Sequence, residues 1–296
     1  MDLSDIKELY PFESNFLELQ EGMKMHYVDE GEGEVLLMLH GNPTWSFFYR
    51  NLIKQFSKTH RVIAPDHIGC GLSDKPQKFD YVLKNHIKHV LALIDHLKLE
   101  RITLVVHDWG GAIGFGTATE RPELFERFVV FNTAAFISKD IPFRINLCRL
   151  PGVGKLAVRG LNAFAGAATF MTSVNPLPEK VKLGFILPYD NWENRIATHE
   201  FVKDIPLEKN HVSRETLEKI DSSLAKFKDK PMLICWGRHD WCFHEGFLDV
   251  WKQRFPQADF NLLEAGHYLL EDKKDEICVL IERFLKKNKL EKAAKA

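Results

Sequence analysis

The chain has 296 residues, and 45% of them are hydrophobic, which is enough to form a large buried core. Because 40 Lys and Arg residues nearly balance 41 Asp and Glu residues, the composition excludes a large field of one charge, and we expect no nucleic-acid partner. The start of the chain is acidic and no apolar run approaches the roughly 18 residues of a membrane span, so we expect a cytoplasmic protein with no transmembrane segment. Five scattered cysteines without C-x-x-C spacing predict buried free thiols and no zinc site.

Alternating apolar and polar residues at 15–20 and 23–29, on either side of a Glu-Gly turn, predict an antiparallel β-hairpin. Six short apolar runs follow, and continuous runs of this kind are typical of parallel strands buried on both faces. These runs are residues 35–39, 61–64, 102–106, 128–131, 232–235 and 260–263. Amphipathic stretches at 83–98 and 276–286 predict helices. The alternation of strands and helices predicts a doubly wound α/β sheet.

The strand signals disappear between residues 136 and 211, in a segment rich in Ala, Phe, Leu and Arg. Such a segment is too long for a loop in a compact domain. We therefore interpret residues 136–212 as an inserted helical cap, and residues 1–135 and 213–296 as the core. The Lys-rich tail at 286–296 is interpreted as a frayed helix end.

An aspartate follows the apolar run at 102–106, where the sequence VVHDWGG turns into a glycine-rich segment. This arrangement is typical of a nucleophile elbow, with Asp108 in the place of the usual serine. A carboxylate is already ionised at neutral pH, so it can attack saturated carbon and form an alkyl ester without a base. The competing interpretation is a helix N-cap, for which Asp is among the preferred residues.

Two later strand ends carry polar residues of complementary chemistry. Asp240 follows the run at 232–235, and His267 follows the run at 260–263. The chain order nucleophile, acid, histidine is that of the α/β-hydrolase triad, so we predict that Asp240 orients His267 as a base. Taken singly, the two residues are also compatible with a turn and with a structural histidine.

The loop after the run at 35–39 contains Asn42, and Trp109 follows the predicted nucleophile. In this arrangement the backbone N–H groups of both residues form an oxyanion hole. Their side chains are also donors, and we expect them to hold a departing anion above Asp108. The alternatives are a turn former at Asn42 and ordinary core packing of Trp109.

Five segments make the chain resemble the haloalkane dehalogenase family of α/β-hydrolases along nearly its whole length. They are HGNPTW (40–45), PDHIGCGLSDKP (65–76), VHDWGG (106–111), GRHDWCF (237–243) and EAGHYLLED (264–272). FNTAAF (131–136) and PYDNWENRI (188–196) resemble the third subgroup, which includes the β-lactone decarboxylases of bacterial long-chain olefin biosynthesis. The resemblance implies an α/β-hydrolase fold with a mostly parallel eight-stranded sheet and an inserted helical cap. Where the second subgroup has a glutamate after the sixth strand, this chain has Asn-Thr-Ala at 132–134, which supports Asp240 as the acid.

The resemblance further implies a small apolar substrate, a halide or carboxylate leaving group, and no metal or organic cofactor. The leading hypothesis is hydrolysis of carbon–halogen bonds through an ester on Asp108, which water activated by His267 then cleaves. The alternative is decarboxylation of a β-lactone to an alkene and CO2. The sequence is compatible with a homo-oligomer or a multi-enzyme assembly.

Two other functions are less favoured. An epoxide hydrolase uses a pair of cap tyrosines, and the only tyrosine between residues 136 and 211 is Tyr189. A non-catalytic receptor on the same fold is least favoured, because all three triad residues are present. Apolar side chains of the cap suit a haloalkane or a long alkyl chain, with core packing as the alternative for about half of them; they are Phe136, Phe143, Phe164, Phe170, Phe185 and Trp192.

Overall fold

A computed structural model describes residues 2–20 and 22–290 of the chain. Its strands are β1 Asn15–Glu18, β2 Lys24–Glu30, β3 Val35–Leu39, β4 Arg61–Pro65, β5 Ile102–His107, β6 Phe125–Phe131, β7 Met232–Gly237 and β8 Asp259–Leu263. They form one sheet in the order β1-β2-β4-β3-β5-β6-β7-β8. Strand β2 pairs antiparallel with β1 and β4, and the other neighbours are parallel. The predicted hairpin and mostly parallel eight-stranded sheet are confirmed, while Glu21 of the hairpin turn lies outside the described residues.

Helices flank the sheet and fill the segment between β6 and β7. They are α1 Arg50–Phe56, α2 Leu83–Leu97, α3 Trp109–Glu120, α4 Phe143–Cys148, α5 Val153–Lys155, α6 Ala165–Met171, α7 Glu179–Ile186, α8 Ile196–Lys203, α9 Arg214–Ser223, α10 Glu245–Arg254, α11 Leu269–Asp272 and α12 Lys274–Lys287. Helices α4–α8 lie in the predicted cap, whose division from the core stays a prediction. Residues 291–296 of the predicted frayed tail lie outside the described residues.

The central strands are continuous apolar runs because both faces of the sheet are covered. In β3, Leu37 and Leu39 belong to the core on one face, and Leu36 and Met38 belong to the core on the other. Side chains alternate between the faces of a strand, so each residue in turn needs an apolar partner.

Strand β6 begins three residues before its predicted start because a buried charge interrupts its apolar pattern. Arg127 lies within the strand, donates to Thr103 Oγ1 at 2.9 Å and pairs with Glu34 at 2.5 Å. A buried cation is tolerated where such partners satisfy it, and sequence periodicity does not reveal them.

All five cysteines are free, as predicted. Cys70 and Cys235 are buried, but the expectation of burial is wrong for the other three, which are partly exposed; they are Cys148, Cys242 and Cys278. None of the described helices combines the length and the hydropathy needed to cross a bilayer.

The parallel strands point their carboxyl ends to the same edge of the sheet. The residues that follow β3, β5, β6, β7 and β8 therefore meet there, at the position where open α/β sheets bind ligands. This edge faces helices α4–α8 and holds the residues described next.

Candidate active site

The turn between β5 and α3 has the geometry of a nucleophile elbow. Asp108 occupies it with φ 51° and ψ −127°, a backbone conformation that side-chain-bearing residues rarely adopt. A strained residue of this kind costs about 1–3 kcal/mol and is typical of functional sites. Asp108 does occupy the N-cap position of helix α3, as the competing interpretation has it, but its side chain makes no capping hydrogen bond.

Two glycines make room for this elbow. A Cβ on Gly110 would lie 1.9 Å from the carbonyl oxygen of Leu39, so a larger residue would push β3 and α3 apart. A Cβ on Gly41 would lie 2.0 Å from Asp108 Oδ1. Gly110 lets helix α3 approach the end of β3, and Gly41 lets the loop after β3 approach the carboxylate.

The carboxylate of Asp108 is buried and hydrogen-bonded on one side. The backbone N–H of Asn42 donates to Oδ1 at 2.6 Å, and the backbone N–H of Trp109 acts on the carboxylate in the same direction, lowering its pKa. Burial raises the pKa of Asp108, and the charge of His267 together with these two N–H groups offsets part of the effect. The two N–H groups are the pair that the sequence predicts for the oxyanion hole.

The structure brings Asp240 and His267 together beside Asp108. His267 Nδ1 lies 2.7 Å from Asp240 Oδ2, and His267 Nε2 lies 3.9 Å from Asp108 Oδ2. The other oxygen of Asp240 accepts the backbone N–H groups of Cys242 at 2.6 Å and Phe243 at 3.0 Å. A carboxylate that accepts from Nδ1 leaves the lone pair of Nε2 directed at the space beside Asp108.

The electrostatics of His267 suit a group that gains and loses a proton. Burial lowers the pKa of His267, but the charge and hydrogen bond of Asp240 and the charge of Asp108 outweigh it and raise the pKa overall. Two rings pack near the imidazole: Phe243 is stacked at 5.8 Å between centroids, and His107 lies at 4.4 Å. These contacts fix the orientation of the ring.

The side-chain N–H donors of Asn42 and Trp109 differ in their hydrogen bonding. The Asn42 amide nitrogen donates to the carbonyl oxygen of Thr198 at 3.1 Å, which leaves one of its two N–H bonds for a ligand. Among residues 2–20 and 22–290, the indole Nε1 of Trp109 has no hydrogen-bond partner. Both residues line the cavity above Asp108.

A mostly apolar cavity of about 400 Å³ extends from this cluster into the cap segment. Its walls include Ala134, Phe136, Ile145, Leu147, Phe164, Val202, Leu217 and Phe243. Its volume lies within the range of small-molecule sites in proteins. In the described part of the chain, no group of three or more His, Cys, Asp or Glu side chains is arranged to hold a metal ion.

The predicted cap aromatics separate into three groups. Phe136 and Phe164 line the cavity, whereas Phe185 is buried beside Phe47 and Tyr268. The other three are on the surface, which corrects the expectation that they face a substrate or pack in a core; they are Phe143, Phe170 and Trp192. Tyr189 is buried and donates its hydroxyl to Thr44 O at 3.1 Å, away from the cavity, so it does not supply the acid of an epoxide hydrolase.

Comparison with protein families agrees with this geometry. A family model described as alpha/beta hydrolase fold matches residues 34–274. The chain belongs to the α/β-hydrolase family. Within it, a cis-3-alkyl-4-alkyloxetan-2-one decarboxylase of Shewanella oneidensis is 44% identical over 285 residues, which cover 94% of this chain and 89% of the relative. The same-named protein of Xanthomonas campestris pv. campestris is 40% identical and covers 95% and 98%.

Haloalkane dehalogenases of the same family are also similar, at lower identity. Haloalkane dehalogenase 2 of Mycobacterium bovis is 31% identical, with 96% of this chain and 99% of the relative covered. The crystal structure of haloalkane dehalogenase DbeA from Bradyrhizobium elkani has a TM-score of 0.85 at 25% identity, covering 93% and 98%. The resemblance found in the sequence motifs is thereby confirmed, and the chain is an enzyme of the α/β-hydrolase family.

Three supporting residues of this α/β-hydrolase site were not predicted. The Thr133 hydroxyl donates to the carbonyl oxygen of Asp108, and His107 Nε2 donates to the carbonyl oxygen of His267 at 2.9 Å. Asp272 accepts the backbone N–H of Gly266 at 2.9 Å and that of Val174 at 3.0 Å, so it joins the histidine loop to the cap segment. All three residues lie in motifs that carry the family resemblance, which was the available signal.

Proposed function

We propose that the chain decarboxylates cis-3,4-dialkyl β-lactones, giving an alkene and CO2. The observation that carries the proposal is the identity of 44% and 40% to two proteins named as such decarboxylases, against 31% for the dehalogenase. Carbon–halogen hydrolysis, the leading hypothesis from sequence, becomes the second candidate. The apolar cavity above Asp108 supports either substrate class.

In the proposed first step, Asp108 opens the lactone ring. Oδ1 is held by the Asn42 N–H, and Oδ2 is the oxygen nearer to His267. Oδ2 attacks ring carbon C4 from the side opposite the ring oxygen. The C4–O bond breaks, its electron pair goes to the ring oxygen, and a substrate carboxylate forms. The free N–H groups of Trp109 and Asn42 bind this new anion.

In the second step, the ester eliminates. The bond between C3 and the carboxylate breaks, its electron pair forms the C3–C4 double bond, and the C4–Oδ2 bond breaks to return the carboxylate of Asp108. In-line attack inverts C4, so the ester oxygen and the substrate carboxylate stand on opposite sides of the C3–C4 bond. A cis lactone therefore gives a cis alkene without rotation. The sequence of steps consumes no water and leaves Asp108 as it began.

The second candidate, haloalkane hydrolysis, uses the same first step with halide as leaving group. An alkyl ester without a neighbouring carboxylate cannot eliminate CO2, so water must cleave it, with Nε2 of His267 as base. The Asp240–His267 contact at 2.7 Å supports this candidate, because that orientation serves water activation.

An isotope experiment distinguishes the two reactions. We expect purified enzyme to convert a synthetic cis-β-lactone to cis-alkene and CO2, and Asp108→Asn to abolish this reaction while Asp249→Asn, at an exposed position, retains it. In H2¹⁸O, elimination leaves Asp108 unlabelled, whereas ester hydrolysis places ¹⁸O in its carboxylate. Halide release without alkene formation, together with ¹⁸O in the peptide that contains Asp108, would overturn the proposed function.

A further inference from the structure

Large apolar side chains are concentrated on one part of the molecular surface. Among the described residues twelve large hydrophobic side chains are exposed, and eight of them fall between residues 143 and 174. Phe143, Leu161 and Phe170 are 79%, 77% and 73% exposed. Single exposed apolar residues are ordinary, but a concentration of them marks an interaction site. We name residues 139–174 the rim segment.

The rim segment is also basic, although the whole chain has a net charge of −1. It contains five Lys or Arg residues and one acidic residue, Asp140. Asp140 is paired with His244 at 2.8 Å, and Arg149 is paired with Glu208 at 2.9 Å. The balanced composition thus conceals a local positive charge.

Three of these cations are on or near the apolar surface. Lys139, Arg144 and Lys155 are exposed. Lys155 lies over the ring of Trp192 at 5.8 Å, and Arg144 lies over the ring of Trp241 at 5.9 Å. Cations interleaved with exposed apolar side chains are the composition of protein surfaces that lie on anionic lipid.

The cavity reaches the surface within the same segment. Leu147 and Val153 line the cavity wall and are also 46% and 62% exposed. Residues that meet both conditions mark the mouth of the cavity. The mouth is therefore surrounded by the apolar and basic side chains described above.

We propose that the rim segment docks on the surface of an anionic phospholipid bilayer. The exposed apolar side chains enter the boundary between headgroups and acyl chains, and Lys139, Arg144 and Lys155 contact headgroup phosphates. This docking places the mouth of the cavity against the lipid, so an apolar substrate enters without crossing water. The docking follows from charge and exposure alone, whereas the entry of a dialkyl lactone by this route rests on the proposed function.

The test is flotation of the full chain with two kinds of vesicle: phosphatidylglycerol and phosphatidylcholine in equal parts, and phosphatidylcholine alone. We expect binding to the mixed vesicles and much weaker binding to the neutral ones. The variant Phe143→Ser/Leu156→Ser/Leu161→Ser should bind on the order of a hundredfold more weakly, because it loses three inserted side chains. Lys139→Gln/Lys155→Gln should lose about twentyfold on mixed vesicles only. Val212→Ser/Val279→Ser, at exposed apolar positions outside the rim segment, should bind like the unaltered chain.

Either of two results would overturn the docking. In the first, the unaltered chain does not float with the mixed vesicles; in the second, the triple variant floats with them as well as the unaltered chain does. Light scattering that detects a dimer broken by the triple variant would assign the surface to a second copy instead. Turnover of a short, water-soluble β-lactone is measured in parallel. The three substituted residues do not line the cavity, so a docking failure leaves that turnover intact, whereas a failure of the proposed function abolishes it for the unaltered chain.

Discussion

Asp240→Asn separates the two candidate reactions because it removes the charge beside His267 and changes which ring nitrogen carries the proton, while it leaves Asp108 and its N–H donors in place. Asp240 Oδ1 accepts two backbone N–H groups, from Cys242 and Phe243, so an asparagine must keep its carbonyl oxygen there. The NH2 group of the asparagine then faces Nδ1 of His267, which in the unaltered chain lies 2.7 Å from the carboxylate oxygen Oδ2 of Asp240. Nδ1 must then accept a hydrogen bond from this NH2 group, so the ring proton moves to Nε2. Nε2 therefore has no lone pair left to accept a proton from a water beside Asp108.

The expected magnitude differs between the two substrates. Ester hydrolysis should fall by about 10³–10⁴, as is typical when the orienting acid of a histidine base is replaced by its amide. A bromoalkane should then release one halide per active site and leave an ester on Asp108 that intact-mass spectrometry detects. Alkene formation should fall less than about tenfold, because the proposed elimination uses no base.

Two outcomes refute this reasoning. If Asp240→Asn cleaves the alkyl ester at the rate of the unaltered chain, the orientation of His267 is not what activates water. If alkene formation falls by the same factor as ester hydrolysis, the elimination is not independent of a base. Glu264→Gln is the matched control, since Glu264 pairs with His239 at 2.8 Å on the exposed surface, and it should change neither rate.

Three further variants test other parts of the site. Trp109→Phe removes the unpaired indole N–H, and turnover with either substrate should fall by about 10²-fold; unchanged turnover would remove Trp109 from leaving-group binding. Gly110→Ala should destabilise the fold by about 1–3 kcal/mol in urea unfolding, whereas Gly166→Ala, whose Cβ meets nothing closer than 3.9 Å, should be neutral or stabilising. Burial raises the pKa of Asp204 from 3.8 to about 7, so the carboxyl group stays protonated in the folded chain and the fold loses stability as the pH rises from 3.8 to 7. The melting temperature of Asp204→Asn should therefore rise relative to that of the unaltered chain between pH 4 and 7. A difference in melting temperature that stays constant over this range would contradict the shift.

The proximity of the three predicted triad residues could be predicted because each follows a strand. Parallel strands buried on both faces have a strong sequence signal, and their carboxyl ends converge whatever the lengths of the intervening helices. The sequence alone therefore indicates that Asp108, Asp240 and His267 lie close together. The elbow itself also had a local signal, since Gly110 and Gly111 follow the carboxylate.

The faces of the cap helices could not be predicted in the same way. Helices α4, α5 and α6 are three to seven residues long, too short for a periodic pattern to define one apolar face. Phe164 faces the cavity and Phe170 is on the surface, although both lie in the same Ala-rich stretch. Asp272 is similar, because its partner Val174 is distant in the sequence and is brought to it only by tertiary structure.

In the proposed mechanism, one site can serve both reactions because the fate of the ester depends on the substrate more than on the protein. A lactone-derived ester carries its own carboxylate on the neighbouring carbon, so the electron pair that expels Asp108 is supplied within the intermediate. A haloalkane-derived ester has no such group and must wait for water at His267. In the proposed mechanism the same Asp108, Trp109 and Asn42 serve ring opening and halide displacement, and sequence motifs around them do not separate the two substrate classes. The two reactions are distinguished by whether Asp108 gains an oxygen atom from water in each turnover.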